Sequence, residues 1–117
     1  KKSPCVFTKG IDRMYLPVAC GEGKVVADPE VLSRLNAVVY YTDEDGNRKA
    51  GYPWNPCGSM DDIAGICDAT GRIFALMPHP ERHIRGTQHP RWLRDGAKPH
   101  GDGFKIFQNA VAWVRGR

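Results

Sequence analysis

Two side chains capable of acid–base chemistry, His79 and Glu81, stand on either side of Pro80. They follow the apolar run Ile73–Met77, which begins after Gly71 and which we expect to form a buried strand. A proline disfavours the helical region for the residue before it, so the backbone at His79 should be extended. Side chains two apart in an extended chain point the same way, which would bring the imidazole and the carboxylate together. An imidazole oriented by a carboxylate supplies two of the three groups of a nucleophilic triad.

The same residues have a simpler interpretation. A strand that ends in a proline-rich turn would leave His79 and Glu81 solvated, with no chemical role. His-x-Glu pairs are common, and spacing alone favours this simpler interpretation over the catalytic one. The catalytic hypothesis therefore depends on the rest of the chain.

The composition is that of an ordinary globular protein, with 41% hydrophobic and 26% charged residues in a chain of 117. This length suffices for one domain with a modest core. No apolar run approaches the length of a membrane span, and the basic start lacks the apolar stretch of a secretory signal. The four cysteines include no Cys-x-x-Cys pair, which argues against a zinc ribbon or a thioredoxin-like motif. For a chain of this size with a core and no export signal we expect reduced thiols and a cytoplasmic location, with disulfides as the alternative.

Positive charge is concentrated towards the C-terminus. Residues 1–81 carry nine Lys/Arg and eleven Asp/Glu, whereas residues 82–100 carry five and one. Residues 82–103 also lack a clear period, which predicts a long loop. A nucleic-acid surface is one interpretation of this charge. Because aromatic residues are not interleaved with the charges, we favour a basic loop beside an anionic substrate or partner, with no nucleic acid and no membrane.

Runs rich in apolar and β-branched residues predict strands and two hairpins. One hairpin should join Val38–Thr42 to Lys49–Tyr52 through the turn formers Asp43–Asn47. The other should join Ile63–Cys67 to Ile73–Met77. Two further strand candidates lie near the N-terminus: Cys5–Thr8 and Tyr15–Cys20.

Two helices are also predicted. Asp28 and Pro29 are a favourable N-cap and first residue for a helix that should run to about Leu35. The second helix, Phe104–Val114, has its apolar residues on one broad face, and Asp102 is a candidate for its cap.

Four stretches support the catalytic hypothesis: Leu16–Gly23, Tyr52–Ser59, Ile63–Cys67 and Gly71–Arg82. Together, and in this order, they resemble the glutaminase (class I glutamine amidotransferase) part of phosphoribosylformylglycinamidine synthase. The combination is specific to this enzyme, whereas the His-Pro-Glu element alone marks the wider amidotransferase class. The resemblance implies an α/β chain with a partial class I glutamine amidotransferase (flavodoxin-like) fold, a mixed sheet with hairpins and a C-terminal helix.

The resemblance also implies roles for the two side chains, with His79 as the triad base and Glu81 as the acid that orients it. In the family a cysteine thiolate attacks the glutamine amide, and the histidine protonates the departing ammonia. The ammonia passes to a synthetase region for ATP-dependent amidine formation in purine biosynthesis. ATP and Mg²⁺ are therefore expected in the synthetase region, and no cofactor or metal in this chain. The implied partners are glutamine, as substrate of the complete domain, and the synthetase region or a second copy of the chain.

The nucleophile is the family feature that this chain does not match. The family's cysteine lies upstream of the matched stretches, on a strand-to-helix elbow flanked by small residues. Cys20 has Val18 and Glu22 two positions to either side, and the other three cysteines fit no better. The family usually has His at the position of Cys20 and Asn at the position of Cys57. We therefore expect residues 1–117 to be a single domain, the C-terminal portion of a glutamine amidotransferase domain without its elbow, inactive in isolation.

Three hypotheses remain open. The chain is part of a glutaminase that works when another polypeptide or a longer precursor supplies the nucleophile, or it is an inert remnant that serves as a binding or assembly module. In the third hypothesis Cys20 is a replacement nucleophile with His79 as its base, but the missing elbow argues against this role. The alternative is that Cys20 is a small buried apolar residue. A domain cut through its sheet exposes an apolar edge and face, so the remnant must repack, dimerise or bind the missing half, and association is expected.

Overall fold

A computed structural model describes residues 3–19 and 21–116. These residues fall into two compact units, one made of residues 3–5 and 21–77 and the other of residues 6–19 and 78–116. The first unit contains the sheet, and the second contains His79 and the C-terminal helix. No helix among the described residues is long and apolar enough to cross a membrane.

A three-stranded antiparallel sheet, in the order β1-β2-β3, is the frame of the first unit. Its strands are β1 (Ala37–Tyr40), β2 (Ile63–Cys67) and β3 (Phe74–Leu76). The central strand β2 is buried almost throughout, as its continuous apolar sequence predicts. The small α/β fold with a hairpin and a C-terminal helix is thus confirmed. Where a mixed sheet was expected, the pairings among the described strands are all antiparallel.

The hairpin that joins β2 to β3 is the predicted one. Asp68 closes its turn by accepting hydrogen bonds from the Ile73 backbone N–H at 3.0 Å and from the Thr70 hydroxyl at 2.6 Å. Gly71 completes the turn with a φ of 76°, and a Cβ there would overlap the carbonyl oxygen of Pro4. Only glycine satisfies both the positive φ and the close approach.

The strand predicted over Ile73–Met77 is shorter and more exposed than expected. It comprises only the three residues of β3, and Ile73 is 71% exposed. Because β3 is an edge strand, one of its sides has no neighbour among the described strands. The expectation of a buried strand before His79 was therefore wrong, although the strand itself is present.

The predicted hairpin between Val38–Thr42 and Lys49–Tyr52 is wrong in its second half. The first run forms β1, which pairs with β2 rather than with the following segment. Lys49 has a φ of 62°, and its backbone N–H donates to the carboxylate of Asp62 at 2.9 Å. That conformation and that hydrogen bond take the Lys49 segment out of any ladder with β1.

The two N-terminal strand candidates do not form strands in the described residues. Cys5–Thr8 leads into a turn closed by a hydrogen bond from the Ile11 N–H to the Thr8 carbonyl at 3.0 Å. Tyr15–Ala19 belongs to no strand, and Cys20 lies outside the described residues. The polar backbone groups of this second segment bond instead to the residues around His79, as described below.

The described part of the chain contains three α-helices: α1 (Pro29–Arg34), α2 (Trp92–Asp95) and α3 (Phe104–Arg115). Helix α1 begins as predicted, with Asp28 at its N-cap position. Helix α2 and a 3₁₀ turn at Gly86–Gln88 lie in the segment predicted to be a long loop. Helix α3 confirms the C-terminal helix, but its N-cap is Gly103. Asp102 does not cap it, because the carboxylate of Asp102 accepts a hydrogen bond from the backbone of Tyr15.

Helix α3 organises the second unit through a buried amide. Asn109 donates from Nδ2 to the backbone carbonyls of Phe7 and Lys9, at 2.8 Å each. Ile106, one turn earlier on the same helix, is buried too. The helix therefore holds the N-terminal segment of this unit through the hydrogen bonds of Asn109.

Candidate active site

The backbone of His79 is held on both sides. His79 lies at the N-cap of a 3₁₀ turn, Pro80–Arg82, with φ −101° and ψ 94°. This extended conformation is the one expected before a proline. The His79 N–H donates to the Pro17 carbonyl at 2.8 Å, and the His79 carbonyl accepts from the Arg82 N–H at 3.2 Å. The point from which the imidazole projects is therefore fixed.

The imidazole of His79 and the carboxylate of Glu81 are in contact, with Nδ1 2.5 Å from Oε1. The predicted contact is present, but the reason given for it was wrong. Glu81 lies inside the 3₁₀ turn and not in an extended chain. The turn folds the Glu81 side chain back towards its N-cap residue, where alternation along a strand had been expected to align the two groups.

The geometry of this pair assigns the ring hydrogen. The hydrogen bond from His79 lowers the pKa of the Glu81 carboxyl, which is therefore ionised at neutral pH. An ionised carboxylate can only accept, so Nδ1 of His79 carries the hydrogen and Nε2 of the neutral ring is left as the basic nitrogen. The side chains of His79 and Glu81 are 31% and 56% exposed, so the pair is accessible rather than buried in a core.

Two glycines before α3 allow the His-Pro-Glu turn to pack closely on that helix. A Cβ at Gly103 would overlap the carbonyl oxygen of Pro80, and a Cβ at Gly101 would overlap that of His83. The Gly103 N–H donates to the His83 carbonyl at 2.8 Å. The turn is thus positioned by backbone contacts that any larger residue at either glycine would push apart.

Two polar side chains beside this turn, His83 and Asp102, have contacts that the sequence analysis did not foresee. His83 is only 3% exposed, and its Nδ1 lies 2.6 Å from the carbonyl oxygen of Tyr15. The Oδ2 of Asp102 accepts from the Tyr15 N–H at 2.7 Å. The glycines on either side of Asp102 were the available sequence signal, because paired glycines mark a close approach of backbone.

The unit that carries His79 and Glu81 contains no cysteine among residues 6–19 and 78–116. Cys5, Cys57 and Cys67 belong to the other unit. Burial, with a smaller contribution from Cys5, raises the pKa of the Cys67 thiol, whereas an attacking cysteine needs a lowered pKa. Cys20, the candidate replacement nucleophile, lies outside the described residues.

The basic segment 82–100 lies largely on the surface. Arg91 and Arg94 contact the carboxylate of Asp95 at 3.8 and 3.0 Å, and the hydrogen bond from Arg94 lowers the pKa of Asp95. Leu93, between them, is 83% exposed.

Over residues 3–19 and 21–116, no three His, Cys, Asp or Glu side chains are grouped so that they could hold a metal ion.

Comparison with known proteins places these residues in a family. A model of the CobB/CobQ-like glutamine amidotransferase domain matches residues 1–114. The chain is 66% identical over 113 residues to phosphoribosylformylglycinamidine synthase subunit PurQ of Dehalococcoides mccartyi. This match covers 97% of this chain and 44% of that subunit. It is 47% identical over 120 residues to the same subunit of Archaeoglobus fulgidus, covering 94% and 42%.

The chain is also similar to part of a solved structure. The structure of PurLQS from Thermotoga maritima is similar with a TM-score of 0.63 at 28% sequence identity. The match covers 97% of this chain and 43% of that chain. The chain therefore spans less than half the length of each of these relatives.

Proposed function

Because the chain belongs to the CobB/CobQ-like glutamine amidotransferase family, we propose that His79 and Glu81 are the base and the orienting acid of a glutaminase. The glutaminase would be that of phosphoribosylformylglycinamidine synthase, the enzyme for which the two curated relatives described above are named. The observation that carries the proposal is the 2.5 Å contact between His79 Nδ1 and Glu81 Oε1. We propose that a polypeptide outside residues 1–117 supplies the cysteine nucleophile. Cys5, Cys20 and Cys57 lack small residues at both positions two away. Cys67, which was expected to fit no better, does have Gly65 and Ala69 there, but it ends β2 ahead of the hairpin to β3 instead of a helix, and burial raises its pKa.

In the proposed reaction, Nε2 of His79 accepts the thiol proton while the sulfur bonds to the carbonyl carbon of the glutamine side-chain amide. The imidazolium then gives this proton to the amide nitrogen, the C–N bond breaks, and ammonia leaves a thioester behind. Water, deprotonated by the same Nε2, hydrolyses the thioester to glutamate and frees the thiol. Throughout, Glu81 holds the Nδ1–H and stabilises the positive charge on the ring.

The proposal extends to the fate of the ammonia. We propose that ammonia passes to a synthetase region, which adds it to the purine precursor with ATP and Mg²⁺ bound there and not on this chain. We further propose that the chain acts in the cytoplasm and associates with that synthetase or with a second copy of itself. The support for a multi-subunit assembly is the likeness to the PurLQS structure.

A fusion protein tests the proposal. The part of the Dehalococcoides mccartyi subunit that lies outside the match is joined to this chain, and ammonia release from glutamine is measured. The wild-type fusion should release ammonia, and the chain alone should not. His79→Gln in the fusion should lower the rate by at least about 10²-fold, the usual contribution of a general base.

A matched control separates loss of the base from general damage. Asp95→Asn changes a different exposed ionisable side chain of the same unit, one that contacts Arg91 and Arg94. The Asp95→Asn fusion should therefore keep the wild-type rate. Undiminished activity of the His79→Gln fusion would overturn the assigned role, and a folded but inactive wild-type fusion would favour the inert assembly module instead.

A further inference from the structure

We propose that Asp102 and His83 are positioning residues, which place His79 by hydrogen bonding to the backbone of Tyr15. We call these two hydrogen bonds the grip on Tyr15. The proposal deepens the function proposed above, because it takes His79 to be the base whose position matters. Neither side chain touches the His79 ring in any contact that the structure shows; each would act through the segment that holds the His79 backbone.

The grip on Tyr15 is two-sided. The Tyr15 N–H donates to Oδ2 of Asp102 at 2.7 Å, and the Tyr15 carbonyl oxygen lies 2.6 Å from Nδ1 of His83. The two gripping side chains are 87 and 68 positions away in sequence. Both polar groups of one residue are thus bound by side chains from the far end of the chain, which fixes this residue in place.

The segment from Tyr15 to Pro17 connects this fixed residue to the backbone of His79. Two residues after Tyr15, the Pro17 carbonyl accepts the His79 N–H at 2.8 Å. Residues 13–19 belong to no helix or strand, so no ladder of backbone bonds sets their path. Pro17 has a fixed φ and disfavours the helical region for Leu16, which limits the conformations of the step from Tyr15 to the Pro17 carbonyl. A displacement at Tyr15 should therefore appear at the His79 N–H.

The His83 ring is itself immobilised. It is 3% exposed, and it makes an edge contact with the Tyr15 ring and a tilted contact with the His89 ring, at centroid distances of 5.9 and 5.8 Å. Its Nδ1 is also 3.3 Å from the Asp102 backbone nitrogen, but one nitrogen cannot both donate and accept. The shorter contact assigns the hydrogen to Nδ1, directed at Tyr15.

The variants Asp102→Asn and Asp102→Leu test the grip in the full chain. Both lose the carboxylate charge, including its 4.0 Å approach to Lys98 Nζ. Only Asp102→Asn keeps an oxygen that can accept the Tyr15 N–H. Asp102 is suited to this comparison because its side chain is 26% exposed, so a change there is less disruptive than one in a core.

The readout is amide hydrogen exchange at His79, followed by NMR against amides in the middle of α3, such as that of Val111. Asp102→Leu should speed exchange at His79 about fivefold more than at Val111, as expected for the loss of one hydrogen bond. Asp102→Asn should leave the ratio unchanged. Equal acceleration at both amides, or the same ratio in both variants, would mean a merely structural role and would overturn the proposal.

A second pair of variants addresses His83. Asparagine presents an N–H close to the position of Nδ1, whereas leucine presents none, so His83→Asn should keep the ratio and His83→Leu should raise it. Equal ratios in the two variants would count against the grip. Amide exchange requires no glutaminase activity, so this experiment can fail while the fusion succeeds, or the reverse.

Discussion

Replacing Glu81 with glutamine should cost the fused glutaminase most of its activity while the chain stays folded. The substitution keeps the size of the side chain and removes its charge. The hydrogen bond it disturbs, from His79 Nδ1 to Glu81 Oε1, belongs to side chains that are 31% and 56% exposed. Exposed ion pairs contribute little to stability, so thermal melting should be nearly unchanged.

The magnitude follows from what Glu81 does for the ring. An ionised carboxylate obliges Nδ1 to carry the hydrogen, whereas a glutamine amide can donate to Nδ1 and so place the hydrogen on Nε2. A ring in that tautomer cannot act as the base. General acid–base catalysis is worth about 10²- to 10⁴-fold, and because solvent reaches Glu81 we expect a loss near the lower limit, about 10²-fold.

The assay is steady-state ammonia release by the fusion, with kcat and KM determined separately. Glu81→Gln should lower kcat and leave KM unchanged, because Glu81 acts on the imidazole rather than on bound glutamine. Asp95→Asn, the matched carboxylate of the same unit, should change neither constant. A wild-type kcat for Glu81→Gln would refute the reasoning, and so would a loss confined to KM.

Three further predictions concern stability. Hydrogen bonds, above all the one from the Thr70 hydroxyl, lower the pKa of Asp68 to about 2. The ionised Asp68 carboxylate therefore stabilises the fold fully above its unfolded pKa of about 4, and this stabilisation is lost as the pH falls towards 2. Thermal melts should therefore depend less on pH in this range for Asp68→Asn than for wild type; identical profiles would contradict this. Asn109→Ala breaks two partly buried hydrogen bonds and should cost about 2 kcal/mol of unfolding free energy in urea titrations. An unchanged midpoint would argue against the bonds. Gly103→Ala should lower the melting temperature because its Cβ would overlap the Pro80 carbonyl oxygen, whereas the control Gly21→Ala, with open space around its Cβ, should not; equal effects would refute the packing argument.

Elements fixed by local signals were predicted well from the sequence. The apolar period of Phe104–Arg115, the Asp28 and Pro29 start of α1 and the turn formers between β2 and β3 all specify structure within a few residues. Their boundaries shifted by only one or two positions. Each of these signals depends on neighbours in sequence and needs no knowledge of distant contacts.

The misjudged elements are those in which a distant partner outcompetes a local preference. Asp102 has the chemistry of a helix cap, but its carboxylate binds the Tyr15 N–H instead. Lys49 follows a good hairpin turn, but its N–H bonds to the carboxylate of Asp62. Neither partner is marked by any pattern in the sequence, so local analysis could not have found them.

The candidate site combines both situations. The approach of His79 to Glu81 was foreseen from types and spacing, although a 3₁₀ turn and not an extended chain brings them together. The support behind the site was not foreseen, because it is formed by Tyr15, His83 and Asp102 from opposite ends of the chain. The pair is thus encoded locally, and its placement is encoded by long-range contacts.

The most direct test of the central claim is the position of the hydrogen on the His79 ring, measured from long-range ¹H–¹⁵N correlations at a pH where the ring is neutral. We predict the hydrogen on Nδ1, bonded to Glu81, and Nε2 free to accept a proton. A hydrogen on Nε2 in the wild-type chain would contradict the account. So would a ring whose nitrogen shifts are the same in Glu81→Gln as in the wild type.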